Sequence, residues 1–241
     1  MNKLFSSVPK REFAIEKVSL AFGDGINVKS SRRNNFSIIK GSSGCGKSTY
    51  LRLVSGTESP KLGSVILNDC NLYDTPDEAL LKVPKPVIVD SKLDCYNDKA
   101  SVIDQIQSSC PSKDGLDVIS KSFASILGLS DEELQSLPRD LSPSAQYLFG
   151  IACACVESSY DTIQSNDDTI ELQSPILLLD ELADFETSIV ARKVGHGLSN
   201  LADNGAIILC ATHKPDSYRE YADRVITFSL GRVLTDEKLH Q

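Results

Sequence analysis

Hydrophobic and polar positions change their rhythm several times along this chain. Phe13, Ile15, Val18, Leu20 and Phe22 recur in rough alternation, which predicts a strand over 13–22 closed by a turn at Gly23-Asp24-Gly25. The polar stretch 26–35 reads as a short hairpin leading into Phe36-Ser37-Ile38-Ile39-Lys40, a buried strand. Residues 50–54 read as helix, 56–63 as a Gly/Pro-punctuated loop, and 65–67 and 84–90 as strands. From about 100 to 136 the spacing turns helical, with Val102, Ile103 and Ile106 and then Val118, Ile119, Phe123, Ile126 and Leu127. A further helix is expected over 142–156 and a polar, acidic surface loop over 158–173. Ile176-Leu177-Leu178-Leu179 is a continuous apolar run ending on Asp180-Glu181, the pattern of a strand buried on both faces. A helix over 187–203, a buried strand over 206–211, a short helix over 214–221 and a terminal hairpin around Leu230-Gly231 complete the reading.

This alternation predicts an α/β fold with a mainly parallel sheet, flanking helices, an N-terminal antiparallel β part and an inserted helical subdomain. The expected division is a core of 1–95 and 174–241, a helical subdomain over about 96–157 and the polar loop 158–173, all within one domain.

The chemistry concentrates first between the strand 36–40 and the helix 50–54. Gly41-Ser42-Ser43-Gly44-Cys45-Gly46-Lys47-Ser48-Thr49 fits Gly, four residues, Gly-Lys-Ser/Thr, set between a strand and a helix. Glycines let backbone N–H groups wrap phosphates, and the following helix start adds partial positive charge. Lys47 is placed to reach the outer phosphates, and Ser48 carries the hydroxyl expected on Mg²⁺. Asp180, at the end of an apolar strand, is a second candidate metal ligand, and Glu181 can orient or deprotonate a water. Asp90 ends another strand, and His213 follows the strand 206–211, where ligands sit in open α/β sheets.

Composition narrows the partners. Among 241 residues the formal net charge is -8, which argues against direct nucleic-acid binding. No apolar run approaches the roughly 18 residues of a membrane span, and the first residues lack a secretory core. Seven cysteines without a C-x-x-C pair suit reduced thiols and a cytoplasmic setting.

In order, these residues resemble the nucleotide-binding domain of ATP-binding-cassette (ABC) ATPases, over nearly the whole chain. The resemblance implies ATP and Mg²⁺ as cofactors. It places Phe22 on adenine, Gly41 to Thr49 on the phosphates, Asp180 on the metal with Ser48, Glu181 as catalytic base and His213 near the γ-phosphate. The family's Leu-Ser-Gly-Gly-Gln signature, which contacts the γ-phosphate of a partner subunit, appears here as Leu141-Ser142-Pro143-Ser144-Ala145. Ser142 remains a good N-cap and Pro143 is tolerated at the first helical position, but one N–H and the close approach of two glycines are lost. Asp90 replaces a glutamine of the family and could still touch Mg²⁺ or water, and Thr187 stands where an aspartate is expected. The resemblance implies a second ABC-type subunit and a transmembrane partner chain, with this chain reaching a membrane through that partner. A soluble ATPase acting on a macromolecule and a low-turnover regulatory module stay open beside the transporter motor.

Overall fold

The computed structural model describes residues 13–19, 26–30, 35–60, 62–67, 70–74, 85–90, 97–109, 116–160, 164–166, 169–171, 174–182 and 188–239. Strands β1 (Phe13–Ser19), β2 (Ile26–Ser30), β4 (Leu62–Leu67) and β5 (Cys70–Asn71) form an antiparallel sheet in the order β2-β1-β4-β5. The hairpin expected to lead into the phosphate-loop strand instead pairs β2 with β1. The next strand, β3 (Phe36–Lys40), belongs to a different sheet.

That second sheet has six strands in the order β12-β11-β3-β10-β9-β6, with β6 at Pro86–Asp90, β9 at Ile176–Asp180, β10 at Ile207–Ala211, β11 at Arg224–Ser229 and β12 at Arg232–Lys238. Strands β6, β9, β10, β3 and β11 run parallel, and β12 returns antiparallel as the terminal hairpin. Successive strand residues face opposite sides, and the apolar runs divide accordingly. Leu177, Leu179, Ile208 and Cys210 join one core with the helices α2 (Val102–Ser108), α3 (Leu116–Leu127), α5 (Pro143–Tyr160) and α6 (Ser188–Asp203). Ile176, Leu178, Leu209 and Ala211 join the other with α1 (Lys47–Val54) and Val65 of β4. This is the α/β fold of phosphate-loop NTPases, with the antiparallel β part and α1 on one face and α2, α3, α5 and α6 on the other.

The short helix α4 (Asp131–Gln135) starts with a capping box between Ser130 and Glu133, and Glu133 reaches Lys193 of α6 at 2.8 Å. The stretch 158–173 departs from expectation. Helix α5 runs on to Tyr160, Ser158 and Ser159 are buried, and Gln164–Asn166 (β7) pairs with Thr169–Glu171 (β8) as a small ribbon. The Ser158 hydroxyl donates to the Lys85 carbonyl at 2.6 Å and accepts the Ile176 N–H at 3.0 Å, so it ties the starts of β6 and β9 to the helix. The short helix expected over 214–221 is one 3₁₀ turn, Pro215–Ser217.

The described cysteines 45, 153, 155 and 210 are free thiols. Burial pushes Cys153 up to about 11 and also raises Cys155 and Cys210. None of the described helices is long and apolar enough to cross a membrane.

Candidate functional site

The loop after β3 is shaped by three glycines with positive φ: Gly41 at 159°, Gly44 at 73° and Gly46 at 106°. A Cβ on Gly41 would stand 2.5 Å from the Phe228 carbonyl oxygen and 2.6 Å from Cys45 Sγ, so a side chain there would displace the loop. The Cys45 N–H closes a tight turn on the Ser42 carbonyl at 3.2 Å. Lys47 opens α1, and its Nζ curls back to donate to the Gly41 and Ser42 carbonyls at 2.9 and 3.3 Å. The N-cap, Gly46, has no side chain to satisfy the first-turn N–H groups, and that turn carries no acid. A helix start left this way is built for an anion.

The acids arrive from β9. Asp180 Oδ1 accepts a hydrogen bond from Ser48 Oγ at 2.9 Å, which joins the phosphate loop to the strand end. Asp90 is the register partner of Asp180 across β6 and β9. Glu181 adopts φ 57°, the left-handed region that non-glycine residues avoid and that collects at functional sites. The turn this makes lets Leu182 bury itself and donate its N–H to the Ala211 carbonyl at 2.9 Å. Glu181 thus leaves the strand while its neighbour anchors the chain.

His213 follows β10. Its Nε2 lies 4.0 Å from Glu181 Oε1, and both side chains are at least half exposed. That gap is beyond a direct hydrogen bond and of a width that a water bridges. Thr212, which the sequence reading did not single out, is buried and fixes this turn, its Oγ1 accepting the Lys214 N–H at 3.1 Å and its own N–H bonding the Ile39 carbonyl. A Thr directly before a post-strand His is a side-chain-to-backbone turn signal that could have revealed it. Lys47, Ser48, Asp180, Glu181 and His213 therefore all lie at the C-terminal ends of the adjacent strands β3, β10 and β9, where open α/β sheets bind ligands.

No group of three or more His, Cys, Asp or Glu side chains among the described residues could cage a metal. A hydroxyl and a carboxylate side by side are hard oxygen donors, and Mg²⁺ is commonly held by one or two protein oxygens together with phosphates. The donor set at Ser48 and Asp180 fits that ion.

The signature-like stretch forms the start of α5 as expected. Ser142 Oγ accepts the Ala145 N–H at 3.3 Å, and the Gln146 N–H bonds the Ser142 carbonyl at 2.9 Å. Pro143 is the first helical residue. Ser144 is buried with its hydroxyl 3.2 Å from that of Ser142. Gln146 turns its amide head to the Pro138 carbonyl at 3.0 Å. Phe22 and Thr187 lie outside the described residues, as does the side chain of Asp90.

Comparison with known proteins bears on the family and the fold. Residues 24–162 match the profile of the ABC transporter family. A phosphonates import ATP-binding protein of Hydrogenovibrio crunogenus is 26% identical over 238 residues, covering 92% of this chain and 81% of that protein. A methionine import ATP-binding protein of Rhodococcus jostii is 27% identical, covering 95% of this chain and 64% of its own length. Among solved structures, cbiO1 of Clostridium perfringens, described as part of an ABC transporter complex, superposes with a TM-score of 0.76. It is 20% identical, with 95% of this chain and 89% of that one covered, and supports the fold. Since the family profile spans more than half of the sequence and takes in the phosphate loop, the chain belongs to the ABC transporter family, as an ATP-binding ATPase.

Proposed function

We propose that the chain binds ATP with Mg²⁺ on loop 41–49 and, paired with a second ABC-type subunit, hydrolyses it to drive a membrane-embedded partner chain. The observation that carries this is the 2.9 Å bond from Ser48 to Asp180, which brings a hydroxyl from the loop and a carboxylate from the sheet to one point. Mg²⁺ held there supplies neutralisation of the outer phosphates. Lys47 exchanges its bonds to the loop carbonyls for the phosphate oxygens. Glu181 orients the attacking water and accepts its proton. His213, across the 4.0 Å gap, fixes the far side of that water or of the γ-phosphate. Phe22 stacks on adenine, and Asp90 adds a water-mediated contact at the metal.

The two curated relatives are named for import of phosphonates and of methionine. We read this chain likewise as an importer's ATP-binding subunit, acting at the cytoplasmic face. The residues gathered here are those of a nucleotide site, so cargo is chosen by the partner chains.

The signature favours a slow enzyme when the chain is alone. Helix α5 still offers its N-terminus and the Ser142 hydroxyl, but Pro143 brings no N–H and Ser144 adds bulk. Loss of one preorganised donor costs about 10²–10³ in rate in other enzymes. A homodimer would carry that defect twice, and a partner with an intact Leu-Ser-Gly-Gly-Gln would repair the site built on this chain's Lys47.

The test is steady-state turnover of the purified chain against its concentration, with and without such a partner subunit. Slow turnover alone and stimulation by the partner are expected. Several turnovers per second from the chain alone, rising with self-association, would overturn the reading.

A further inference from the structure

The terminal hairpin is docked at three points, two on the phosphate loop and one on α1. The Gly231 N–H donates to the Cys45 carbonyl at 2.9 Å. The Phe228 carbonyl packs so close to Gly41 that a Cβ there would sit 2.5 Å away. The Phe228 ring lies 5.1 Å from that of Tyr50, a fully buried residue of α1, at a tilt of 56°. Between these contacts the hairpin turns through two left-handed residues, Leu230 at φ 48° and Gly231 at φ 72°. Leu230 is exposed and has no glycine's freedom, so its conformation is held by what flanks it.

From this we infer that Gly231 is a positioning residue for phosphate binding: its N–H holds the Cys45 carbonyl and thereby aims the Gly46 N–H into the phosphate loop. The reason lies in the peptide unit. It is planar and trans, so its C=O and N–H point in opposite directions. Anchoring the Cys45 carbonyl outward, on the hairpin, turns the Gly46 N–H inward. Gly46 has φ 106° and no side chain, so little else restrains that peptide. Gly231 lies 186 residues along the chain from Cys45. The hairpin acts as a splint, and the loop's donors are arranged before a nucleotide arrives.

The inference rests on the reading of loop 41–49 as the phosphate site, and the test separates the two. Affinity of the full chain for a fluorescent ATP analogue is measured, with ATP and AMP as competitors, well below the melting temperature. Gly231→Val puts a β-branched residue at positive φ and moves the N–H. Loss of one hydrogen bond predicts ATP binding weaker by about five- to tenfold, with AMP, which lacks the outer phosphates, bound as before. Gly231→Asn tolerates positive φ and keeps the N–H, so it should restore ATP affinity to within about twofold. If Gly231→Val does not fold, Gly231→Ala carries the same test, with a loss of about threefold expected. A variant that melts earlier but binds ATP as wild type does would make the contact merely structural and overturn the inference. Equal weakening for ATP and AMP would do the same. Lys47→Ala is the control: if it too leaves ATP affinity unchanged, the phosphate-loop reading itself falls.

Discussion

Asp90 and Asp180 stand side by side as register partners at the C-terminal ends of β6 and β9. The family resemblance leads one to expect an amide, glutamine, at the first of these positions. Two like charges on neighbouring strands destabilise a sheet, and a cation relieves them. Asp90→Asn should therefore raise the melting temperature of the nucleotide- and metal-free protein by about 1–2 °C at low salt. It should also raise the Mg²⁺ concentration giving half-maximal turnover by about threefold. Thermal melts and a magnesium titration check both, and an unchanged Mg²⁺ requirement would remove Asp90 from the metal site.

Glu181→Gln keeps the shape of the strand end and removes the carboxylate proposed as the base. ATP affinity should hold while turnover falls by about 10²- to 10⁴-fold. Single-turnover kinetics beside equilibrium binding separate the two, and equal turnover would exclude Glu181 as the base.

Lys47→Ala has a second consequence that the sequence alone hides. Its ammonium donates to two carbonyls of its own loop, so the substitution removes the proposed phosphate ligand and takes a donor from the Gly41 carbonyl, while the Ser42 carbonyl keeps the Cys45 N–H. ATP affinity should fall at least tenfold, and stability by about 1–3 kcal/mol. Denaturant melts without nucleotide give the second figure, and an unchanged midpoint would mean that those bonds contribute nothing to the resting fold.

In the signature-like stretch, Pro143→Gly with Ser144→Gly restores an N–H and removes a side chain at the start of α5. Turnover of the chain alone should rise by about tenfold or more. The helix should survive, because the Ser142 cap remains. No gain in turnover would place the slow step elsewhere.

Glu133 gives a pH signature away from the nucleotide. Burial pushes its carboxyl up, but hydrogen bonds from Lys193 and from the Ser130 N–H outweigh that and hold it below the usual glutamate value. A depressed folded pKa contributes stability above the unfolded value of about 4.3, and that stability is lost as pH falls through the lower, folded value. Glu133→Gln should cost about 0.2–1 kcal/mol near pH 7. The difference from wild type should close below about pH 4. A gap that persists in acid would assign the cost to packing.

Much of this was legible in the chain because some residues carry their own context. Strands β3, β9 and β10 announce themselves as apolar runs because both of their faces are buried. The loop 41–49 reads at once because its spacing has few other uses. What depends on distant partners was not legible. The pairing of Asp90 with Asp180 follows from lateral strand order, and the left-handed Glu181 from the pull of Leu182 toward Ala211. The stretch 214–221 after His213 reads in the sequence as a short helix. The chain makes one turn there, since a nucleus that short gains little, and Tyr221 is drawn onto Gly195 of α6 instead. The stretch from Ser158 looked like loop because polar residues dominate it, yet its first hydroxyl is a buried bridge between two strands.

That bridge fixes one end of α5 to the sheet. Ser158 pins one end of the helix to β6 and β9, and Ser142 sits at the other, about 24 Å away at the rise of an α-helix. A tilt of about 5° around the pinned end would sweep Ser142 through about 2 Å. The phosphate contact proposed for Ser142 tolerates less than that, so the Ser158 hydroxyl matters at the far end of the helix as well as at its own.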